Sequence, residues 1–398
     1  MESEHRVVIA GAGPVGLVAA LALAQHDIPV TVCEAEPELA TDLRASTFHP
    51  PTLDMLDRFG VSEKLIAQGL IAPTWQYRDR ETGPVATFDL GLLGEDTAHP
   101  YRVQCEQWKL TRILYDLLEP LPQVEVRFRH RVLGAAQSDD WVTLRVATPD
   151  GVESLRGRYL IAADGARSAV RKSQDIEFAG WTLPELFLVL STPFEFADHL
   201  EGLSDVTYLS DPEEWLVLLR VADCWRVLFP SAPDESADQA RAEDRVQRRL
   251  RGVVAAAQPY EIIHKTLYRV HQRVARSYRR GRVLLAGDAA HINNPLGGMG
   301  MNGGIHDAVN LAEKLVQVWR GAPHFLLDRD HRQRRTVAIE HLQAQSLRNR
   351  ELMNERDPAR RRKRHEELRR VVESAEACHA FLLRSSMIDS LRRAEAIA

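Results

Sequence analysis

RVVIAGAGPVGLVAALALAQ, residues 6–25, is the stretch that decides the fold of this chain. The β-branched run at 6–10 reads as a buried strand, and the Ala/Leu-rich run that follows reads as a helix. Between them Gly11, Gly13 and Gly16 stand in the G-x-G-x-x-G pattern. Gly11 allows the tight turn, Gly13 lets a pyrophosphate approach the backbone, and Gly16 lets the helix pack against the strand, with Val15 between them. The helix dipole favours the negative charge there, and Pro14 suits a first helical turn because it has no N–H to leave unpaired. A second strand, IPVTVCE, ends at Glu34, 23 positions after Gly11. That spacing suits a carboxylate accepting hydrogen bonds from ribose hydroxyls. A glycine triplet alone is weak evidence. Strand, glycines, helix, strand and acid in register are strong evidence for a dinucleotide.

Two later stretches extend the pattern. YLIAADGARSAVR, residues 159–171, runs an apolar strand into Asp164-Gly165, with Ser168 and Arg171 after it. DG is a common turn dipeptide, but the apolar strand before it and AVR after it lift this one above that reading. Residues 124–163 read as three strands, VEVRFRHRV, WVTLRVAT and SLRGRYLIAADG, parted by QSDD and PDG. An antiparallel meander is expected there. RVLLAGDAAHINNPLGGMGMNGG, residues 282–304, ends a strand at Asp288 and leads through a glycine loop into the helix IHDAVNLAEKLVQVW. Asp288 is suited to accept from polyol hydroxyls. The backbone N–H groups of Met301 and Asn302 are expected to open the helix, where positive partial charge favours an anionic ring edge. The side chains of Met299 and Met301 read as packing.

At 398 residues the chain is too long for one small core, and two or three layers or domains are expected. Hydrophobic content of 44% and charged content of 27% are ordinary for a soluble globular protein. A net charge of −5 gives no reason to expect nucleic acid or an anionic membrane as partner. Cys33, Cys105, Cys224 and Cys378 form no CxxC or His/Cys cluster, which reads as reduced thiols in a cytoplasmic protein without a metal site. No basic leader precedes the first strand, and no apolar run approaches the roughly 18 residues of a membrane span.

Taken together the three segments resemble the flavoprotein aromatic hydroxylases of the para-hydroxybenzoate hydroxylase type, single-component FAD monooxygenases. The resemblance covers roughly residues 4–60, 100–175 and 265–325. It implies an α/β fold: a Rossmann-like FAD-binding domain of the glutathione-reductase type, an inserted β-sheet substrate domain and C-terminal helices. It implies that the Gly11–Gly16 turn and Glu34 hold the ADP half of FAD, with Val132 also at the cofactor. Arg44 and Ala45, in DLRAS, match the segment whose arginine contacts the pyrophosphate and the mobile flavin. Gln104 matches a glutamine near the ribityl and phosphate region. Asp164-Gly165 match a motif tied to both FAD and nicotinamide. Asp288 matches the ribityl aspartate, and Pro295, Gly298, Gly300, Met301 and Asn302 match the loop and helix start facing the isoalloxazine ring. Asn294 departs from the pattern, standing where members often carry a second proline. The thioredoxin-like C-terminal domain of the larger phenol hydroxylases is not expected from these residues.

The implied reaction is reduction of FAD by NADH or NADPH, addition of O2, and oxygen transfer from a flavin hydroperoxide to a small phenol or aromatic acid. Glu36, Glu38 and Asp42 would repel the extra phosphate of NADPH, so NADH is the expected donor. His49, in STFHPPT, is a candidate to face the ring or deprotonate a phenol, its ordinary pKa being about 6.5; capping a loop before two prolines is its structural alternative. Arg226 matches an arginine that in the family faces flavin and substrate. Arg220 is a candidate for binding a carboxylate and Trp215, like Trp225, for lining a pocket; an edge-strand arginine in solvent and ordinary core tryptophans are the plainer readings. The expected FAD domain is discontinuous, 1–74, 98–175 and 268–340, with 75–97 and 176–267 forming the substrate sheet and 341–398 a helical, charged segment. The basic run Arg360–Arg364 reads as a solvated face or a subunit contact, so a homodimer is among the expectations. Three other activities fit the same fold: a flavin-dependent reductase, a halogenase, and a binder without turnover. The halogenase suffers because no WxWxIP segment occurs.

Overall fold

Val7–Ala10 carries only apolar side chains and is buried on both faces: Val7 and Ile9 pack among helices, and Val8 and Ala10 against the strand 142–148. It is the centre of a six-stranded sheet ordered 279–280, 283–285, 159–162, 7–10, 30–33, 124–127. The structure, a computed structural model, describes residues 5–232 and 234–398. Register is continuous across the centre, with Val7 opposite both Tyr159 and Val30, and Leu160 opposite Val283. The strands that lead into the three motif segments are therefore immediate neighbours. Their turns meet at one edge, outside the carboxyl ends of parallel strands, where open α/β sheets bind ligands.

The expected meander is only partly formed. Val124–Arg127 leaves it to pair in parallel with Val30–Cys33, and the chain breaks at Arg129, which adopts φ +58°. The antiparallel sheet consists of 131–137, 142–148 and 151–157. What reads as one strand, SLRGRYLIA, is two: Gly151–Gly157 is mostly exposed, whereas Tyr159–Ala162 is buried throughout and belongs to the parallel sheet. The division falls at Gly157, where a Cβ would lie 2.7 Å from Val8 Cγ2.

A second large sheet has eight strands, ordered 291–292, 264–275, 178–192, 225–230, 216–220, 206–210, 74–79, 83–89. Alternation at period two gives it two apolar faces. Leu188, Leu190, Leu216, Leu218, Val227 and Phe229 pack against Val246 and Leu250 of the helix Glu243–Val253. Phe187, Val189, Trp215, Val217 and Leu228 face the other way, toward Leu368, Cys378 and Leu382 of the C-terminal helices. The strand His264–Ala275 runs across the boundary expected at 267/268, and the helix expected near 237–257 is broken at Ala242.

The C-terminal segment is not simply a solvated face. Pro358–Glu373 and Ala375–Ser385 cover the second face of the large sheet. Arg361 pairs with the buried Asp79, so one of the five basic residues points inward, while Arg364 pairs with Glu355 nearer the surface. Among the described residues, no helix is long and apolar enough to cross a membrane.

Candidate functional site

The first turn sits on the second motif. Gly11 adopts φ +101°, and a Cβ there would lie 2.5 Å from the Ala163 carbonyl oxygen and 3.3 Å from Asp164 Cα. Only glycine permits that approach. Gly13 is the N-cap of the helix Pro14–Ala24 with no side-chain cap, and nothing lies within 4 Å of where its Cβ would be. The first amides of this helix are thus left for an anion. Gly16 backs onto the Gly11 carbonyl, and Val15 packs against Gly287 and Gly304 of the third segment. Glu34 Oε2 accepts from the Ala12 amide at 2.7 Å and Oε1 from the Glu36 amide at 3.0 Å, which fixes the carboxylate at the strand end. Each oxygen keeps a second lone pair. Val132 is buried with Val8, Ala10 and Cys33 beside the same strand ends.

Asp164 Oδ2 accepts from the Val170 amide at 3.1 Å, while Oδ1 is buried without a partner. Arg171 donates to the carbonyls of Ala289 at 2.8 Å and Ala166 at 2.9 Å, tying the second segment to the third. Asp288 is accessible to solvent yet densely ringed by protein, as expected of a side chain on the floor of an open cleft. Burial raises its pKa, against the charges of His291 and Arg44. The turn below it is set by a buried network that the sequence did not reveal. Asp307 accepts from the Gly287 amide at 3.0 Å, from His291 Nε2 at 2.8 Å and from Arg334 Nε at 2.7 Å. Burial alone would raise the Asp307 pKa; His291 and Arg334 overcome it and hold the carboxylate ionised. An acid on the apolar face of the helix after Gly304 was the available signal.

Asn302 joins the remaining pieces. Its Nδ2 donates to the carbonyls of Thr47 at 2.8 Å and Gly298 at 2.6 Å, and its Oδ1 accepts from the His49 amide at 3.0 Å. Its side chain is thereby occupied, leaving the backbone for a ligand. The long helix starts earlier than expected, at Met299, capped by Gly298 at φ +67°, so Gly300, Met301 and Asn302 lie in its first turns. Pro295 opens the turn, its carbonyl accepting from the Gly298 amide at 3.0 Å. Thr47 Oγ1 donates to Gln104 Oε1 at 2.9 Å, and Gln104 Nε2 is a buried donor without a partner.

Each substrate candidate has a partner within the protein. His49 is fully buried and donates from Nε2 to the Gly297 carbonyl at 2.8 Å, which makes Nδ1 the acceptor nitrogen, without a partner. Burial, then the nearby Arg102 charge, hold its pKa well below the ordinary value, so this imidazole is neutral. Arg226 is buried and spends its guanidinium on backbone, donating to the carbonyls of Arg44 at 2.5 Å and Leu43 at 2.6 Å and to Ser46 Oγ at 3.1 Å. It clamps the segment carrying Arg44 and Ala45. The Arg44 side chain is exposed and pairs with Asp42 at 3.0 Å. Arg220 pairs with Glu195 at 3.0 Å, and the Trp215 indole donates to Asn354 at 2.7 Å. Neither lines the cavity beside Gly297.

That cavity measures about 40 Å³ and is walled by Trp75, Tyr77, Arg102, Tyr208, Gly297 and Phe381, with Met299 and Met353 at its margin. A larger, charged cavity of about 180 Å³, between Glu340–Arg348 and Arg384–Ser390, shares Met299 and Gln345 with it. The smaller one is the aromatic one, and it adjoins the loop that caps the long helix.

These residues fit a flavin dinucleotide. Two uncapped helix N-termini, two orphaned polar atoms on Gln104 and Asp164, and the cleft carboxylate Asp288 converge from the three segments and the strand Arg102–Gln104. Comparison with known proteins agrees. Residues 4–345 match the family described as "FAD binding domain". The chain is 38% identical over 367 residues to para-nitrophenol 4-monooxygenase of Pseudomonas sp. (strain WBC-3), covering 91% of this chain and 90% of that protein. It is 36% identical over 344 residues to 6-hydroxy-3-succinoylpyridine 3-monooxygenase of Pseudomonas putida (strain DSM 28022 / S16), covering 85% and 86%. The crystal structure of p-nitrophenol 4-monooxygenase from Pseudomonas putida DLL-E4 superposes with a TM-score of 0.93 at 35% identity, covering 98% of this chain and 99% of that one. The chain belongs to the FAD binding domain family, the flavoprotein hydroxylases that its three segments resemble.

Proposed function

We propose that this protein is an FAD-dependent monooxygenase that uses NAD(P)H and O2 to hydroxylate a small, single-ring aromatic compound. The observation that carries the reading is the aromatic-walled cavity set directly against the Gly297–Met299 turn, at the end of the cleft formed by the three segments. Its aromatic walls suit the faces of a ring, and the flexible Met299 and Met353 side chains are the ones that would give way to admit one. The monooxygenases most similar in sequence act, by their names, on a nitrophenol and on a hydroxypyridine.

FAD, when bound, supplies the electron transfer and the oxygen activation. The chain's own residues bind and orient. The helix start at Gly13–Gly16 and Glu34 take the pyrophosphate and ribose, and Asp288 with Gln104 takes the polyol chain. Asp164 serves the phosphate side, and Arg44, whose charge acts on Asp288, is held at its backbone by the Arg226 clamp. The backbone of Gly298–Asn302 presents the positive end of a 21-residue helix to the ring edge. Pro295 and the Asn302 bonds keep that turn in place. His49, neutral and fixed on Gly297, stiffens the turn and offers a free acceptor, not a charge. The covering C-terminal helices exclude water. Of the three acids behind the NADH expectation, Glu36 pairs with Arg131 and Asp42 with Arg44 at the surface, which leaves Glu38 to carry it. Four buried unpaired thiols support a reducing, cytoplasmic setting.

The test is NAD(P)H oxidation by the purified yellow protein with a panel of phenols under labelled oxygen. Oxidation stimulated by the aromatic compound, with one labelled oxygen in the product, is expected. Stimulated oxidation without label in any product would contradict the proposal.

A further inference from the structure

One buried charge is used by neither the cofactor segments nor the core. Arg102 lies on the strand Arg102–Gln104 and is 2% exposed. Its Nε and Nη1 are buried without partners, and its surroundings hold the Tyr208 hydroxyl, to which it is hydrogen-bonded, the neutral His49 and, among the described residues, no acid. A guanidinium stays protonated in proteins, so this is a desolvated cation lacking a counter-ion. Its carbon lies 5.4 Å from the Trp75 ring centroid, and Trp75 meets Tyr208 edge-on at 5.7 Å. The Tyr208 hydroxyl faces both Arg102 and the Gly297 backbone. All four residues wall the small cavity.

We propose that Arg102 and the Tyr208 hydroxyl form an oxyanion seat that selects aromatic substrates as their phenolates. The inference rests on the hydroxylase reading, which makes this cavity the substrate site. A buried cation beside a hydrogen-bond donor, enclosed by aromatic faces, matches an anionic oxygen carried on a ring. Phenolate is favoured over carboxylate because ionised oxygen also makes the ring electron-rich, which hydroxylation requires. The seat therefore chooses the reactive ionisation state as well as the compound. Arg220, a candidate from sequence for binding an anion, is instead paired with Glu195.

The test is calorimetric titration of the FAD-loaded protein with three probes: 4-nitrophenol at a pH where it is ionised, its methyl ether 4-nitroanisole, and benzoate. Wild type is expected to bind the phenolate at least about 10-fold more tightly than the ether. Arg102→Met should abolish that preference, Arg102→Lys should keep part of it, and Tyr208→Phe should weaken the phenolate alone. Flavin content and melting temperature certify each fold; if Arg102→Met does not fold, Arg102→Lys and Tyr208→Phe decide. An unchanged phenolate-to-ether ratio in these folded variants overturns the seat. Benzoate binding as tightly as phenolate overturns its assignment to phenols. Binding is read without turnover, so absence of hydroxylation in the earlier test would sink the reaction and leave this result standing.

Discussion

Asp288 stands on the floor of the cleft, and among the described residues no protein donor bonds its carboxylate, in contrast to Asp307 beneath it with three. Replacement by alanine removes an acceptor from the cofactor side while leaving the turn geometry to Asp307. Asp288→Ala is expected to lower FAD retention at least about 10-fold and to affect nicotinamide KM less; wild-type flavin content in the variant would remove the polyol assignment. This residue was legible because a strand ending in an acid before a glycine loop is a local pattern. Gly11, Gly13 and Glu34 were legible for the same reason. Arg102 and Tyr208 were not: an arginine inside YRVQC and a tyrosine inside VTYLS look like ordinary strand residues. They become a site only when the sheet order brings residues 102 and 208 to one cavity. Arg226 illustrates the converse, since residue type suggested a place at the substrate and only its partners reveal a backbone clamp; Arg220 follows its plainer reading as a surface arginine, paired with Glu195.

Among elements, the parallel strands were read correctly where apolar runs were continuous. The reading failed where such a run abutted an alternating one without a turn residue other than glycine, as at Gly157. The helix from 358 was misjudged because its charge pattern hides its inward face. Arg361 reaches Asp79, which also accepts from the amides of Glu81 at 3.0 Å and Thr82 at 2.8 Å. Asp79 is 4% exposed, and its pKa, which burial would raise, is held below the ordinary value by those amides and the Arg361 charge. Breaking such a pair strips a buried carboxylate. Arg361→Met is expected to destabilise the protein by about 2–4 kcal/mol in equilibrium denaturation. A loss under about 0.5 kcal/mol, typical of a surface pair, would show that this helix is not a structural cover.

Across the whole molecule, buried titratable groups pull stability in opposite directions with pH. His306 is buried against Thr52 at 2.8 Å, and burial followed by the Arg334 charge pushes its pKa down to about 3. In the unfolded chain it titrates near 6.5, so between those values the unfolded state holds more protons. Its contribution is therefore lost as pH falls below about 6.5, at about 1.4 kcal/mol per pH unit. Asp330, whose pKa burial raises to about 7, acts with the opposite sign. It is protonated in the fold where the unfolded chain has ionised, so it weakens the protein as pH rises from about 4 to 7. Comparison with His306→Gln isolates the first effect: the stability lost between pH 7 and 5 should be smaller in the variant by about 2 kcal/mol. Equal losses would mean that His306 is not held neutral.

The central claim is that three distant segments, neighbours in one sheet, grip a single flavin dinucleotide. The most direct measurement is the amount of FAD released per chain from the native, purified protein. The account predicts a yellow protein with close to equimolar FAD, or a colourless one restored to that ratio by added FAD. A native protein that is colourless and takes up none would contradict it.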